Sequence, residues 1–403
     1  MISVEEALAR ITQAFSPLAS EWVALANARG RVLSEDLVAT RDQPPQDISA
    51  MDGYAVRAAD LESGEATLTL IGEAPAGGRF EGEVGPGETV RIFTGGPLPK
   101  GADAVALQEN ARADGARITL TGNVPKGRFI RPAGLDVRKG EAILRAGTLL
   151  GARDLGLVAG LNRVWLPVRR RPRIAFLATG DELVRPGEPL GPDRIVTTNS
   201  VTLGQMIESW GGIALDLGII EDRTDAFAAI MPELSGVDLI VTLGGASVGE
   251  RDLVRQALGE KGLNLDFWKI AMRPGKPLMF GHVGATPLLG LPGNPVSSAV
   301  CAVLFVKAVI RTLQGLDPNP VEVPAVLGSN LGANDERQDY LRATLAWGAD
   351  GRLTATPAGR QDSAMYAIFA NADCLIKRRP FAEETAAGEL VTILPLSLPS
   401  AGF

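Results

Sequence analysis

Two successive glycines end an apolar run near the middle of the chain and form its most informative segment. Residues 240–243 read Ile-Val-Thr-Leu, and Gly244, Gly245 and Ser247 follow before Glu250 opens an acidic, helix-like stretch. Glycines let phosphate oxygens approach backbone N–H groups, and a helix N-terminus adds about half a positive charge. The segment lacks the dinucleotide-binding fingerprint and the lysine of a P-loop. Taken alone, it is consistent with an ordinary strand-to-helix turn or with an anion-binding loop.

Two cationic or amide-rich segments follow. Lys269, Arg273 and Lys276 place three cations within eight residues, and neighbouring prolines stiffen the backbone. Rigid, converging cations are what an oxyanion receptor requires, because charge-assisted hydrogen bonds depend on direction. Residues 290–298 read Gly-Leu-Pro-Gly-Asn-Pro-Val-Ser-Ser and lead from a strand into a helix, whose N-terminal amides suit an anion. Either segment alone could be a proline-rich connector.

Acidic residues follow several of the predicted strands. Glu182 follows the strand 174–178, Asp222 follows the strand 215–220, and Asp252 comes shortly after the glycine loop. In doubly wound sheets, ligands bind beyond the carboxyl ends of the strands. Carboxylate oxygens suit Mg²⁺, which also bridges to phosphate. The sequence therefore predicts a magnesium and phosphate site at this edge of the sheet.

The surrounding pattern predicts a multidomain α/β protein. Ser3 and Glu6 have the spacing of a capping box at the start of a first helix. Alternating runs with Gly/Pro punctuation predict a small antiparallel β domain, and a strand–loop–helix rhythm predicts a central parallel α/β sheet. The predicted domains are an N-terminal helical/mixed domain at 1–45 and 138–171, an inserted β domain at 46–137, an α/β domain at 172–316 and a C-terminal β domain at 320–403.

Composition excludes several classes of protein. The chain has 403 residues, of which 45% are hydrophobic and 22% charged, as in soluble globular proteins. A net charge of −7 argues against nucleic-acid binding. Two cysteines give no disulfide framework and fit a reducing cytosol, while the single His282 excludes a multi-histidine metal centre. We expect no apolar run as long as the ~18 residues that a membrane span needs. The N-terminal residues do not resemble a signal peptide, so we expect a cytoplasmic protein.

Several short motifs, in their order and spacing, resemble those of one enzyme family. They are Ser-Ala-Met-Asp-Gly-Tyr-Ala-Val at 49–56, Arg-Ile-Phe-Thr-Gly-Gly at 91–96, Thr-Gly-Asp-Glu-Leu at 179–183, Gly-Gly-Ala-Ser-Val-Gly at 244–249, Arg-Pro-Gly-Lys-Pro at 273–277 and Gly-Leu-Pro-Gly-Asn-Pro at 290–295. Together they closely resemble the molybdopterin molybdenumtransferase family, which includes the bacterial MoeA-type enzymes and the E domain of gephyrin. The resemblance covers essentially the whole chain.

The resemblance implies an activity, partners and an architecture. Family members insert molybdenum from molybdate into adenylylated molybdopterin and release AMP, and Mg²⁺ is the expected cofactor. The resemblance implies a homodimer, with the active site between the α/β domain of one subunit and the β domain of the other. The α/β domain is expected to be of the molybdopterin-binding type and the C-terminal domain to resemble a β barrel. Transient contact with other molybdenum-cofactor synthesis proteins is also expected, and no nucleic acid or membrane.

The family's functional residues are carried over to the matching positions of this chain. The implied oxyanion-binding residues are Arg273, Lys276, Pro277, Ser297, Arg342 and Ser363. The implied catalytic residues are Asp52, Thr94, Asp136, Asp252, Lys269 and Lys276. The pterin or nucleotide is expected at Gly244, Gly245, Ser247, Pro292 and Pro295, and the metal at Glu182, Asp222 and Asp252. Many relatives have lysine where this chain has Arg273, so a planar guanidinium replaces a point donor.

The implied mechanism has alternatives. In it, the oxyanion residues hold molybdate while metal-bound carboxylates promote cleavage of the adenylate, so that Asp252→Asn should abolish AMP release and leave the fold intact. A molybdopterin adenylyltransferase acting one step earlier would use a similar sheet. A gephyrin-like scaffold would need a linker and a partner domain that nothing here resembles. An ordinary nucleotide-binding Rossmann-type protein is the remaining alternative.

Overall fold

The computed structural model describes residues 1–220, 234–244, 263–348 and 350–397. The chain divides into two compact units. One comprises Trp22–Val168, and the other comprises Met1–Glu21 together with Arg169–Phe403. The predicted sites Asp222, Gly245, Ser247 and Asp252 lie outside the described residues.

The unit Trp22–Val168 is built around a six-stranded β sheet. In spatial order its strands are Ala104–Leu107, Gly53–Val56, Glu88–Ile92, Glu65–Ala74, Arg117–Thr121 and Ala111–Asp114. Tyr54 and Val56 pack in one apolar cluster and Ala55 in another, because successive side chains of a strand point to opposite faces. Both faces of the sheet are therefore covered.

One pairing in this sheet differs from the predicted antiparallel β domain. Glu65–Ala74 runs parallel to Glu88–Ile92, with a register shift between Leu70 and Gly72, while the other pairs are antiparallel. The sheet is therefore mixed. Outside this sheet lie the short strands Leu37–Val38, Ile48–Ser49, Ile130–Arg131 and Ala142–Leu144, the helix Ala152–Gly160, and the short 3-10 helices Leu25–Asn27, Ala58–Leu61 and Gln108–Asn110. The paired strands Ser20–Ala24 and Trp165–Arg169 cross the two boundaries of the unit.

The second unit contains the predicted α/β sheet. In spatial order its strands are Ile213–Ile220, Arg173–Thr179, Leu239–Leu243, Thr286–Leu291, Met279–Val283 and Leu263–Trp268. The first four are parallel to one another, and Met279–Val283 is antiparallel to both of its neighbours. The predicted parallel sheet is thus confirmed for these four strands, and it also contains this one antiparallel strand among the described residues. The tight connection through Gly284 closes a hairpin with Thr286–Leu291, and a hairpin forces antiparallel pairing.

Three of the described helices pack on one face of this sheet. They are Val4–Gln13, Asn199–Ser209 and the long helix Pro295–Gln314, and all three contribute to the main apolar core. The Ser3 hydroxyl caps the first helix by accepting from the Glu6 N–H at 3.0 Å, whereas the Glu6 carboxylate pairs with Arg10. Because Val4, Ala7 and Ile11 are buried in this core, residues 1–21 group with the sheet and not with residues 138–168.

The helix Pro295–Gln314 is long and apolar enough, by length and composition, to cross a membrane. The expectation that no apolar run reaches this length was therefore wrong. However, 83% of its most apolar window is buried inside the protein, which is typical of the core helix of a domain. Ala302–Val306 form a π-helical turn within it, and Gly315 ends it. No other described helix has this length and composition.

The C-terminal residues form a closed five-stranded barrel, as the resemblance implies. Around the barrel the strands are Gln338–Trp347, Leu353–Pro357, Val323–Leu327, Leu390–Pro395 and Cys374–Arg378, and the last pairs with the first. Cys374, Ile376 and Ile393 lie in its core. The short strand Met272–Arg273 pairs with Gln338–Asp339, so the cationic segment is tied to the barrel wall. The described part of this unit also contains the short strands Leu183–Val184 and Ile195–Val196 and the helix Tyr366–Ala370.

Candidate functional site

The predicted site segments meet at one edge of the α/β sheet. The strands Arg173–Thr179, Leu239–Leu243 and Thr286–Leu291 are adjacent and parallel, so the loops that follow them leave from the same edge. The strand Leu263–Trp268 points in the same direction, because it is antiparallel to a strand that is itself antiparallel to Thr286–Leu291. The loop Lys269–Pro277 therefore begins at this edge too.

The strand order places a crevice between Thr179 and Gly244. The chain passes from Arg173–Thr179 outwards to Ile213–Ile220, and then returns to the opposite side of Arg173–Thr179 with Leu239–Leu243. Such a reversal is the topological switch point at which doubly wound sheets bind ligands. The glycine loop identified in the sequence starts at this point.

Gly244 allows the backbones to approach at the switch point. A Cβ atom here would lie 3.0 Å from the Thr179 carbonyl oxygen, and the φ angle is +101°. The Gly244 N–H donates to the Leu291 carbonyl at 3.1 Å, which joins the ends of the two neighbouring strands. The hydroxyls of Thr179 and Thr242 are buried here without a hydrogen-bond partner among the described residues. Such groups normally bind water or a ligand.

The predicted metal site is only partly described. Glu182 is exposed just beyond the strand Arg173–Thr179, at the switch point. Within the described ranges no group of three His, Cys, Asp or Glu side chains converges on one point. Mg²⁺ binds through one or two carboxylates and completes its shell with water and substrate phosphates. Glu182 fits that donor chemistry, and the magnesium site stays a prediction.

The cationic loop is closed by its own backbone. The Lys269 N–H donates to the Leu278 carbonyl at 2.9 Å, and the Ile270 N–H donates to the Lys276 carbonyl at 3.0 Å. Lys269 has a φ angle of +70°, and its ammonium lies 4.0 Å from the centre of the Trp268 ring. The loop is thus a fixed turn and not a mobile connector.

Gly275 seats this loop against the long helix. Its φ angle is +115°, and a Cβ atom would lie 2.6 Å from the Cys301 sulfur and 3.0 Å from the Met272 side chain. Burial raises the pKa of the Cys301 thiol strongly, so this sulfur is a packing group and not a nucleophile. The position of Lys276, one residue later, therefore depends on a glycine at 275.

The three cations of the loop have different surroundings. Arg273 donates to the Asp335 carboxylate at 3.0 Å, to the Asn334 side chain at 3.2 Å, and also to the Asp339 carboxylate. Burial raises the pKa of Asp339, while the Arg337 guanidinium and backbone N–H lower that of Asp335. By contrast, Lys276 is exposed and has no ion pair within the part of the chain that the structure describes.

The start of the long helix completes this edge. Pro295 occupies its first turn and Ser297 is 5% exposed. The Val296 N–H donates to the Ser363 carbonyl at 3.1 Å, and the Asn294 side-chain amide donates to the Ser363 hydroxyl at 3.0 Å. The barrel residue Ser363 thus contacts the helix N-terminus, and its role in oxyanion binding stays a prediction.

Arg342 lies on the first strand of the barrel and is almost completely buried. Its guanidinium donates to the Asp362 carbonyl at 3.2 Å, next to Ser363. Its Nε is buried without a partner among the described residues, and burial lowers the pKa of the guanidinium. The hydrogen bond to Asp362 therefore holds this side chain, which is 1% exposed, next to the Ser363 loop.

The unit Trp22–Val168 brings two of its three predicted residues together. The Asp52 carboxylate accepts from the backbone N–H of Thr94 at 2.7 Å and from its hydroxyl at 2.8 Å. These bonds lower the pKa of Asp52, with a smaller contribution from the nearby Arg91 guanidinium. Asp136 is exposed, and its backbone N–H donates to the Gln43 carbonyl at 2.9 Å.

Sequence reasoning did not identify the residues that hold the site segments in place. Asp335, Asp339 and Asn334 surround Arg273 from more than 60 positions away, and Asn199 donates to the Gly293 carbonyl at 2.8 Å. The only sequence signal was the cluster of polar residues before the strand Gln338–Trp347. Nothing in that cluster indicates Arg273 as its partner.

Comparison with known proteins agrees with this architecture. Three family models match the chain: the MoeA N-terminal region (domains I and II) at residues 2–161, a probable molybdopterin binding domain at 175–312, and the MoeA C-terminal region (domain IV) at 324–396. Molybdopterin molybdenumtransferase of Haemophilus influenzae is 34% identical over 402 residues, which cover 98% of this chain and 99% of that protein.

Further relatives extend the match. Molybdopterin molybdenumtransferase of Bacillus subtilis is 35% identical over 389 residues, with 93% of this chain and 89% of that protein covered. The structure of the molybdopterin biosynthesis MoeA protein from Pyrococcus horikoshii superposes with a TM-score of 0.83 at 28% identity, over 98% of this chain and the whole of that one. On the basis of its fold, its site segments and these full-length matches, the chain belongs to the molybdopterin molybdenumtransferase (MoeA) family.

Proposed function

We propose that the protein inserts molybdenum from molybdate into adenylylated molybdopterin, with release of AMP. The observation that carries this proposal is the convergence of the switch-point glycine, the rigid cationic loop and the N-terminus of the long helix on one sheet edge. The names of full-length relatives support the same reaction. They do not favour an adenylyltransferase or a scaffold, because the match extends over the β domain and the barrel as well.

The two proposed binding positions lie at separate points along the sheet edge. The strand ending at Thr179 and the strand beginning at Met279 are three strand positions apart, which corresponds to about 14 Å at the usual spacing. The phosphate-bearing end of the pterin adenylate would bind at the switch point, where Gly244 exposes backbone and two threonine hydroxyls lack partners among the described residues. Molybdate would bind near Lys276, Ser297 and Ser363.

The charges of the oxyanion end suit a tetrahedral dianion. Lys276 supplies a positive charge that no described carboxylate neutralises, and the helix start adds N–H groups and the Ser297 hydroxyl. Arg273 is engaged with two carboxylates, so it acts on the anion mainly through the position of the loop. Arg342 stiffens the loop that carries Ser363.

We further propose Mg²⁺ as the metal cofactor and a homodimer as the working form. Bound Mg²⁺ would neutralise the diphosphate and make AMP a better leaving group. Glu182 is the described residue that would hold it. In the proposed dimer, the Asp52–Thr94 pair of one subunit faces the sheet edge of the other. Two buried, unpaired cysteines support a reducing, cytoplasmic location.

The test is release of AMP from adenylylated molybdopterin by the purified protein. We expect release to depend on molybdate and on Mg²⁺, and ATP with molybdopterin to give no adenylylated product. Formation of that product without any molybdate-dependent release of AMP would overturn the proposal in favour of the adenylyltransferase. Chelation of Mg²⁺ by EDTA, followed by its return, tests the metal separately.

A further inference from the structure

Asn294 occupies the N-cap of the long helix, but it does not act as a side-chain cap. At this position the asparagine oxygen normally accepts an N–H from the first helical turn. Here no such bond is made, although the residue has the usual extended backbone, with φ −62° and ψ 130°. The Val296 N–H is instead satisfied by the backbone carbonyl of Ser363, from the barrel loop. The asparagine side chain is therefore free for another task.

That task is to hold the hydroxyl of Ser363. The Asn294 side-chain amide donates to the Ser363 oxygen at 3.0 Å. A serine hydroxyl has one proton to donate and two lone pairs to accept with. Because Asn294 supplies a proton to this oxygen, the Ser363 proton must point elsewhere. It has no acceptor among the residues that the structure describes, so it is available to an incoming ligand oxygen.

The segments that carry Asn294 and Ser363 are also held by contacts from the helix Asn199–Ser209. Asn199 donates to the Gly293 carbonyl at 2.8 Å and so fixes the turn before Asn294. The Thr202 hydroxyl lies 2.5 Å from that of Tyr366, three residues after Ser363. Both contacts start from the helix Asn199–Ser209. These contacts hold the chain on both sides of the Asn294–Ser363 hydrogen bond, and that bond alone sets the direction of the hydroxyl.

We propose that Asn294 is a positioning residue for oxyanion binding, and that it acts by orienting the Ser363 hydroxyl as a donor to molybdate. This rests on the proposed function for the identity of the anion. The role follows from the direction of one hydrogen bond and from the absence of a side-chain cap among the described contacts of this helix. Oriented donors bind an anion more tightly than donors that must reorganise first.

The test is a double-mutant cycle on binding of molybdate alone, measured by titration calorimetry with the full-length protein. We expect Ser363→Ala to raise the dissociation constant about 10-fold and Asn294→Ala to raise it about 3- to 10-fold. The double variant should bind no more weakly than Ser363→Ala, because Asn294 then has nothing left to orient. Additive losses in the double variant would overturn the proposal, as would a wild-type protein that does not bind molybdate.

Stability provides the readout that separates positioning from capping. Asn294→Ala should leave the unfolding midpoint unchanged, since the side chain caps no N–H; a marked fall in the midpoint would show a capping role and contradict the proposal. Asn264→Ala, on an outer strand of the same sheet, serves as the control and should change neither property. If molybdate binds and the cycle is non-additive while no AMP is released, the proposed reaction fails and the role of Asn294 stands.

Discussion

The guanidinium of Arg273 donates to the carboxylate of Asp339, whose side chain is only 3% exposed, while Arg273 itself is half exposed. The same guanidinium reaches Asp335 at 3.0 Å. One cation of the loop thus fastens the sheet domain to the barrel, and two carboxylates offset its charge. Arg273 is therefore held in structural ion pairs, whereas Lys276 is exposed and has no described ion pair.

Replacing Arg273 should affect stability more than anion binding. Arg273→Gln leaves the buried Asp339 carboxylate without its cation, and we expect the free energy of unfolding to fall by about 1–3 kcal/mol. The KM for molybdate should change by less than about 3-fold, because the lost charge was already neutralised. Denaturant unfolding and steady-state kinetics measure the two effects. A large rise in KM at unchanged stability would instead support the oxyanion role that the sequence resemblance implies for Arg273.

Replacing Lys276 should have the opposite effect. Lys276→Gln removes a cation that forms no described ion pair, so the unfolding midpoint should stay constant. Loss of a charge-assisted bond to a dianion should raise the KM for molybdate about 10- to 100-fold. Lys100→Gln, which alters an exposed lysine in the other unit that likewise has no described ion pair, is the matched control. Equal increases in the KM for molybdate in the two lysine variants would refute a role of Lys276 in binding the anion.

Gly275 should not tolerate a side chain. In Gly275→Ala, the new Cβ would meet the Cys301 sulfur at 2.6 Å, in a backbone conformation that disfavours alanine. We expect a loss of about 3 kcal/mol or more in unfolding free energy and weaker molybdate binding, because Lys276 is displaced. Gly284→Ala, where φ is +59° and no atom lies within 4 Å, should cost about 1 kcal/mol. A Cys301→Ala background should relieve part of the loss at Gly275, and identical losses with and without the sulfur would contradict this account.

The hydrogen bonds between Asp52 and Thr94 should be measurable through the pKa of the Asp52 carboxyl. In the folded protein the pKa of Asp52 lies below its ordinary value of 3.8, chiefly because of the Thr94 backbone N–H. A carboxyl group whose pKa is lower in the folded than in the unfolded protein stabilises the fold at pH values above its unfolded pKa. This stabilisation is lost as the pH falls through the folded pKa. Thr94→Ala removes the hydroxyl donor and keeps the backbone donor, so the pKa should rise while staying below 3.8.

Carbon-13 NMR of the Asp52 carboxyl measures this shift. Thr121→Ala, which alters an exposed threonine of the same unit, should leave the Asp52 titration unchanged. Asp52 stays ionised at neutral pH in both variants, so any loss of AMP release in Thr94→Ala should be independent of pH above about 6. An unchanged Asp52 titration would show that the Thr94 hydroxyl bond does not form in solution.

The elements of the site could be read from the sequence because their signals are local. The apolar run before Gly244 and the proline and glycine that bracket the helix Pro295–Gln314 are contained within a few neighbouring positions. Side-chain periodicity and helix capping also depend on a few consecutive residues. The strand ends, the helix start and the cationic turn could therefore be recognised from the sequence. The family motifs are equally local.

Only the tertiary structure decided which of these residues are free to bind a ligand. The pairing of Arg273 with Asp339 and the approach of Ser363 to Asn294 join positions more than 60 residues apart. The reversed strand Met279–Val283 and the packing of the first helix against the sheet are likewise set by tertiary partners. Such contacts form only when the folded chain brings two segments together. The local sequence of either segment does not identify its partner. Residue type and spacing therefore determined the chemistry available to this protein, and packing decided which side chains can use it.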